Sequence, residues 1–267
     1  MQISGKVFVV TGGGNGIGRE VVLALLGRGA RVATFDISED GLAETGRLAD
    51  AGDRLTTHRV DITDRAAVEA FRDAAVAAHG HVDGLLNVAG IIQRFVRIND
   101  LSHEEIARVM DVNFWGVVTT TKAFLPHLLE RPSAAVVNVA SMGALAPVPG
   151  QAAYGASKAA VKLFTEALYA ELRGSSVAVT VVFPGGVATN IAHNSGATVP
   201  GHVASSQSAR MTTTAPADAA AQIIGGMEKG AYRVTIGKDA QGLDRLSRIA
   251  PRRATEMIAD KMKALLS

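Results

Sequence analysis

The stretch "VVTGGGNGIGRE", residues 9–20, follows a short apolar run and leads into a segment with helical spacing. Three of its glycines, Gly12, Gly16 and Gly18, stand in the pattern TGxxxGxG, and Asn15 and Ile17 complete the loop. Glycine permits a tight strand-to-helix turn and close approach of backbone to a ligand. The helix that follows would offer unpaired N–H groups and the positive end of its dipole, which suits a pyrophosphate. Alone, such a loop is weak evidence, because glycines also serve turns that bind nothing. Asp36 strengthens it. It falls just past the second apolar run, where a carboxylate can accept both ribose hydroxyls of an adenosine and repel a 2′-phosphate. The bland alternative, a cap for the next helix, is better filled by Ser38. No lysine or arginine occupies positions 13–15. Together these features predict a dinucleotide site, with NAD favoured over NADP.

Working outward, β-branched apolar runs recur at 6–10, 31–35, 55–60, 82–88, 134–140, 177–183 and 232–236. Helical spacing fills Ile17 to Arg28, Arg65 to His79, Ser102 to Leu129 and Ala152 to Leu172. Strands alternating with helices mean βαβ units and a parallel sheet. Nearly continuous apolar strands fit a sheet covered on both faces. The expectation is an α/β, doubly wound Rossmann-type fold with about seven strands, built as one domain over residues 1–267. Asp61, after the third strand, could meet the adenine edge beside Ile62, although it could also serve the helix near Arg65, for which Asp64 is the better cap. "NVAG" at 87–90 brings Asn87, Ala89 and Gly90 to the same sheet edge. Residues 188–214 are rich in Gly, Ser, Thr and Ala, precede a helix expected near Pro216, and read as a lid. A C-terminal extension covers 237–267.

Composition excludes several classes. There are no cysteines, so disulfide and thiolate chemistry are absent. A net charge of +2 gives no reason to expect nucleic acid. No run approaches the roughly 18 apolar residues of a membrane span, and the first residues read as a strand, so the expected location is cytoplasmic. His79 and His81 lack an acid cluster, so no metal is expected. The basic residues near the C-terminus, from Arg245 to Lys263, read as a solvated helix face.

"YGASK", residues 154–158, poses the chemical question. On a helix, Tyr154 and Lys158 share a face. A free phenol titrates near ~10. An ammonium about 4 Å away, at an effective dielectric near 20, contributes roughly 4 kcal/mol, or up to about three pKa units. Such a phenol could act as an acid or base near neutrality, on an alcohol or its ketone.

With these motifs in order and spacing, the chain resembles the classical short-chain dehydrogenases/reductases. The resemblance rests on "TGGGNGIG", "NVAG", Asn113 in "VNFWG", Ser141 in "VASMG", "YGASK" and "PGGVAT", and covers residues 4–190 closely. It implies a catalytic tetrad: Tyr154 as general acid/base, Lys158 lowering its pKa and holding the nicotinamide ribose, Ser141 bonding the substrate oxygen, and Asn113 supporting a water-linked relay. Pro184, Gly185, Val187 and Thr189 would hold the nicotinamide end. It also implies homodimers or homotetramers. Val88 departs from the family, which often has a second asparagine there. Ile92, Phe95, Met142, Leu145, Val148 and Gly186 would surround the reacting carbon, with Arg94 and Arg97 near the rim. Their apolar character predicts a small to medium apolar secondary alcohol or ketone as the small-molecule partner. The alternatives are an NADPH-dependent carbonyl reductase and a non-catalytic NAD-binding regulatory protein.

Overall fold

The computed structural model describes residues 1–197 and 213–263. Seven strands form one sheet: β1 (Val7–Thr11), β2 (Arg31–Asp36), β3 (Leu55–Arg59), β4 (Gly84–Asn87), β5 (Ala134–Val139), β6 (Val177–Pro184) and β7 (Arg233–Ile236). Their spatial order is β3-β2-β1-β4-β5-β6-β7, and every pairing is parallel. The order reverses between β1 and β4, and that crevice is where an open α/β sheet takes its ligands.

Successive strand residues point to opposite faces. Phe8 and Val10 of β1 therefore join one core, against Val21, Val22 and Leu25 of α1 (Gly16–Gly27) and Ile223, Ile224 and Met227 near the C-terminal end. Val9 joins the other, with Val68 and Phe71 of α3 (Arg65–His79). Between these helices α2 (Glu39–Ala49) starts at Ser38, whose hydroxyl accepts from Gly41 N–H. Asp64 caps α3 by accepting from Ala67 N–H, as the spacing predicts.

The long helical stretch from Ser102 is not a single regular helix. It is α4 (His103–Met110), a π-helical turn (Asp111–Trp115) and α5 (Gly116–Leu129). The wide turn accommodates buried Asn113, and π-turns of this kind concentrate at functional sites. Helix α6 (Ala152–Glu171) carries Tyr154 and Lys158. A short α7 (Ile191–Asn194) follows, then α8 (Pro216–Glu228), which begins at its proline. Most of the expected lid lies outside the described residues.

The extension folds as α9 (Lys238–Ile249) and α10 (Pro251–Lys261). Leu243, Ala254 and Ile258 bury against Ala146, with Met142 and Val148 packed around them. The extension thus backs the loop that follows Ser141. Ile249, in helical spacing with Leu243, stays outside this packing and is 85% exposed at the corner before Pro251.

Candidate active site

The crevice between β1 and β4 opens into a cleft of about 690 Å³. Gly12 enters it with φ +75°, and a Cβ there would come within 2.9 Å of the Ala89 backbone. Only glycine can hold that conformation so close to the facing loop after β4. A Cβ on Gly18 would collide with the Gly12 carbonyl. The start of α1 has no acidic residue in its first turn, and Asn15 makes no capping bond. Its first N–H groups are therefore free to face the cleft, a donor set suited to a pyrophosphate.

The first strand ends in a residue that the sequence reading did not single out. Thr11 Oγ1 accepts from the N–H groups of Val88 and Ala89, each at 3.0 Å, and ties the "NVAG" loop to the glycine loop. The TG pair was visible in the sequence, but nothing there told which strand its hydroxyl would reach.

Asn15, Gly16, Ile17 and Asp36 line the cleft with Gly12 and Gly18. So do Asp61, Ile62, Ala89, Gly90 and Thr189. Asp36 accepts from Gly14 N–H and from Ser38 N–H, both at 3.0 Å, which fixes its carboxylate at one end of the cleft. Asp61 accepts from both the N–H and the hydroxyl of Thr63. Arg19 is a cation close to this end, yet it is committed to the Gly14 and Gly41 carbonyls and to Thr45 Oγ1.

Six expected cofactor residues, Asn87, Tyr154, Lys158, Pro184, Gly185 and Val187, do not line this cleft. The side chain of Asn87 is turned into the protein, donating to Asn138 Oδ1 at 2.8 Å and accepting from Thr120 Oγ1 at 2.7 Å. Its place at the end of a buried strand dictates this, since a buried amide must find partners. Pro184 closes β6. Gly185 N–H donates to Ile236 at 2.9 Å, and Gly186 N–H donates to Asp239 Oδ2 at 2.8 Å. Val187 pairs with Thr214 in an isolated bridge. Asp239, on the first turn of α9, is a second residue that the sequence did not reveal.

Gly90 leads from the cleft to the proposed chemistry. A Cβ on Gly90 would lie 3.1 Å from Lys158 Nζ and 3.2 Å from Asn113 Oδ1. Asn113 clamps Ile91, accepting from its N–H and donating to its carbonyl, both at 2.9 Å, and donates to Ser157 Oγ as well. Ser141 and Tyr154 meet across Gly143. A Cβ there would stand 3.5 Å from Ser141 Oγ and 3.6 Å from the Tyr154 ring.

The electrostatics differ from the expectation. Burial pushes the Tyr154 phenol above its ordinary value, and the Ser141 hydroxyl pulls it only partway back. Burial alone pushes the Lys158 amine down to about 8. The expected drop of the phenol toward neutrality is absent in this structure. Both groups are taken out of water together, so both charged forms are penalised. The Lys158 ammonium is directed at the Val139 carbonyl, 3.0 Å away.

Over the cleft mouth, Ser195 Oγ accepts from Ile92 N–H at 3.0 Å and pins the segment after α7 to the "NVAG" loop. Glu105 of α4 holds Arg94 at the surface, accepting from its N–H and its guanidinium. Among the described residues no cluster of three ligands could hold a metal, and no helix is long and apolar enough to cross a membrane.

Residues 6–200 match the family model for short chain dehydrogenase. The chain belongs to the short-chain dehydrogenase family. Members of this oxidoreductase family similar to it include SadH, a Mycobacterium tuberculosis protein named as an oxidoreductase. SadH is 42% identical over 256 residues, spanning 93% of this chain and 92% of that protein. The 1-deoxy-11-beta-hydroxypentalenate dehydrogenase of Streptomyces avermitilis is 34% identical, spanning 90% and 88%. Among solved structures, a short-chain dehydrogenase/reductase from Burkholderia phymatum in complex with NAD superposes with a TM-score of 0.86 at 28% identity, covering 96% of this chain and 97% of that one. A Burkholderia cenocepacia short chain dehydrogenase in complex with NADP gives 0.79 at 28%, covering 98% and 99%. In this short-chain dehydrogenase the departure at Val88 costs the site little, because Thr11 holds the Val88 N–H and the side chain packs on the core.

Proposed function

We propose that the protein is an NAD(H)-dependent dehydrogenase that interconverts an apolar secondary alcohol and its ketone, with Tyr154 as the general acid/base. The observation that carries this reading is the pair of close approaches beyond the cleft: Ser141 and Tyr154 meet across Gly143, and Lys158 and Asn113 stand beside Gly90, which lines the same cleft as the Asp36 carboxylate. The free N–H groups at the start of α1 fit the pyrophosphate, and Asp36, followed by exposed Ile37, fits an unphosphorylated ribose. Both groups that hold Asp36 are backbone N–H donors, so the carboxylate keeps lone pairs for ribose hydroxyls.

When bound, the dinucleotide would exchange the hydride and, in its oxidised form, bring a positive charge close to the phenol. The protein's own groups would do the rest. Ser141 Oγ bonds the substrate oxygen and fixes the alcohol against Tyr154. Tyr154 takes the hydroxyl proton in oxidation and returns it in reduction. Lys158 faces the nicotinamide ribose and favours the phenolate. Its amine responds to added charge, because it has no carboxylate partner among the described residues. Asn113 holds the Ile91 backbone and supports the relay through Lys158.

The reading takes the chain as one catalytic domain, with residues 188–214 as the lid and α9–α10 backing the substrate wall. That wall holds Met142, Val148 and Leu246, which favours an apolar substrate. Trp115 and Leu163, 55% and 66% exposed on neighbouring helices, suit a contact between copies in a homodimer or homotetramer. Function in the cytoplasm remains part of the proposal.

The test is quenching of NADH fluorescence with NADPH as competitor, followed by a panel of cyclic and open-chain secondary alcohols with NAD. NADH outcompeting NADPH, with turnover of an apolar alcohol, supports the reading. Preference for NADPH selects the carbonyl-reductase alternative, and activity confined to charged sugar phosphates rejects the apolar substrate.

A further inference from the structure

Helix α6 carries Tyr154 in its first turn, and that turn lacks a cap of its own. Gln151, just before the helix, makes no capping bond with its side chain. The second and third N–H groups of a helix ordinarily find an acceptor on that residue. Here they belong to Ala153 and Tyr154. Both donate to Oε1 of Gln93, at 2.7 and 3.1 Å, from 60 and 61 positions away in the chain. Gln93 Nε2 donates to the Gly150 carbonyl, and Gln151 Nε2 donates to the Gln93 carbonyl, each at 2.9 Å. Gln93 is 1% exposed. The two glutamines form a reciprocal clamp between the loop after β4 and the start of α6.

We infer that Gln93 is a positioning residue, whose side chain fixes the first turn of α6 and thereby holds the Tyr154 hydroxyl against Ser141. It acts through the Tyr154 N–H and touches no reacting atom. An amide suits this role better than the usual Asp cap. It accepts two N–H bonds and fills the Gly150 carbonyl without setting a full negative charge beside a phenol that must ionise. The surroundings would not mask such a charge. Ile91, Val96 and Ile106, which share with Tyr154 a cluster built on Leu101, Val109 and Ala153, are apolar, Ser141 is neutral, and Lys158 is the cation on the same helix face.

The chain contains three tyrosines, so Tyr169→Phe with Tyr232→Phe leaves Tyr154 as the only one, and tyrosinate absorbance then titrates that phenol alone. In this background Gln93→Met keeps the length and removes the acceptor and donor. The phenol should titrate lower, toward the solvent value near ~10, as the turn frays and water enters. Turnover should fall about 10- to 100-fold, while the NADH dissociation constant stays within about twofold. Gln93→Glu keeps the acceptor and adds charge, so both the phenol titration and the pH profile of kcat should move up. If Gln93→Met fails to fold, Gln93→Glu decides alone. A phenol titrating as in the parent overturns the inference, as does a loss of NADH binding in step with activity. The inference rests on Tyr154 as the acid/base, but the titration needs no substrate. Tyr154→Phe that stays active would sink the functional reading, whereas unchanged titrations beside an inactive Tyr154→Phe would sink only the role of Gln93.

Discussion

The two ends of the sheet treat a buried charge in opposite ways. At the amino ends of the strands, Asp83 is completely buried and surrounded by partners. Its carboxylate accepts from Val7 N–H at 3.0 Å, Arg131 at 2.9 Å and Lys6 at 3.1 Å, and His81 stands 3.1 Å away. At the carboxyl ends, Lys158 is 3% exposed and its ammonium meets a carbonyl in place of a carboxylate. Burial pushes the Asp83 carboxyl up, yet the Val7 N–H, Arg131 and Lys6 outweigh it and leave it below its ordinary value. Lys158 has no such offset and is pushed down to about 8. One end uses charge to hold the fold together. The other keeps a charge uncompensated, where an incoming ligand can change it.

The largest expected effect breaks the carboxyl end chemically and leaves the fold intact. Tyr154→Phe should lower kcat about 10²- to 10⁴-fold, since a proton-transfer group of this kind contributes on that scale. NADH quenching should be unchanged, and so should the melting temperature. Ordinary turnover by this variant would show that the acid/base lies elsewhere.

The mirror experiment breaks the amino end. Asp83→Asn removes the shared partner of Lys6 and Arg131 and should cost about 3 kcal/mol, the low end for a broken buried pair because both cations are partly exposed. Denaturant unfolding would measure it, and kcat per folded molecule should not change. The pH dependence has a definite sign. The folded carboxyl titrates below its ordinary 3.8, so the unfolded chain binds the proton first. The contribution is therefore present above about 3.8 and is lost as pH falls through the folded value, and Asp83→Asn should lack that loss.

Reading the sequence exposed the carboxyl end far better than the amino end. The glycine loop, Asp36 and the Tyr154–Lys158 spacing are local patterns with fixed geometry, so they could be placed before any fold was known. The parallel sheet followed from the alternation of strands and helices, because parallel strands need helical crossovers, whereas the strand order came only with the fold. What stayed hidden depends on distant pairing. Gln93 and Asp239 look like ordinary polar residues until the fold brings them against α6 and the Gly186 N–H. Asp83 looks like a turn residue until Lys6 and Arg131 arrive from 77 and 48 positions away. The direction of the Tyr154 shift was missed for a related reason. Spacing reveals which charges are neighbours, but not how much water the fold removes from them.

The smallest effect in stability sharpens the contrast most. Lys158→Met removes a buried ammonium that has no counter-charge. A shift from 10.5 to about 8 corresponds to roughly 3 kcal/mol, part of which returns as the lost bond to Val139. The variant should therefore be more stable than the parent by about 1–2 kcal/mol at pH 7, while its turnover collapses. Between about 8 and 10.5 the unfolded chain holds the lysine proton and the folded chain has released it. Parent stability should then rise with pH across that window relative to Lys158→Met, and the gap between them should close. Parallel unfolding curves at pH 7 and pH 10 measure both differences. A variant less stable than the parent at pH 7 would mean that the Val139 bond outweighs the desolvation, and that the two ends of the sheet are compensated alike.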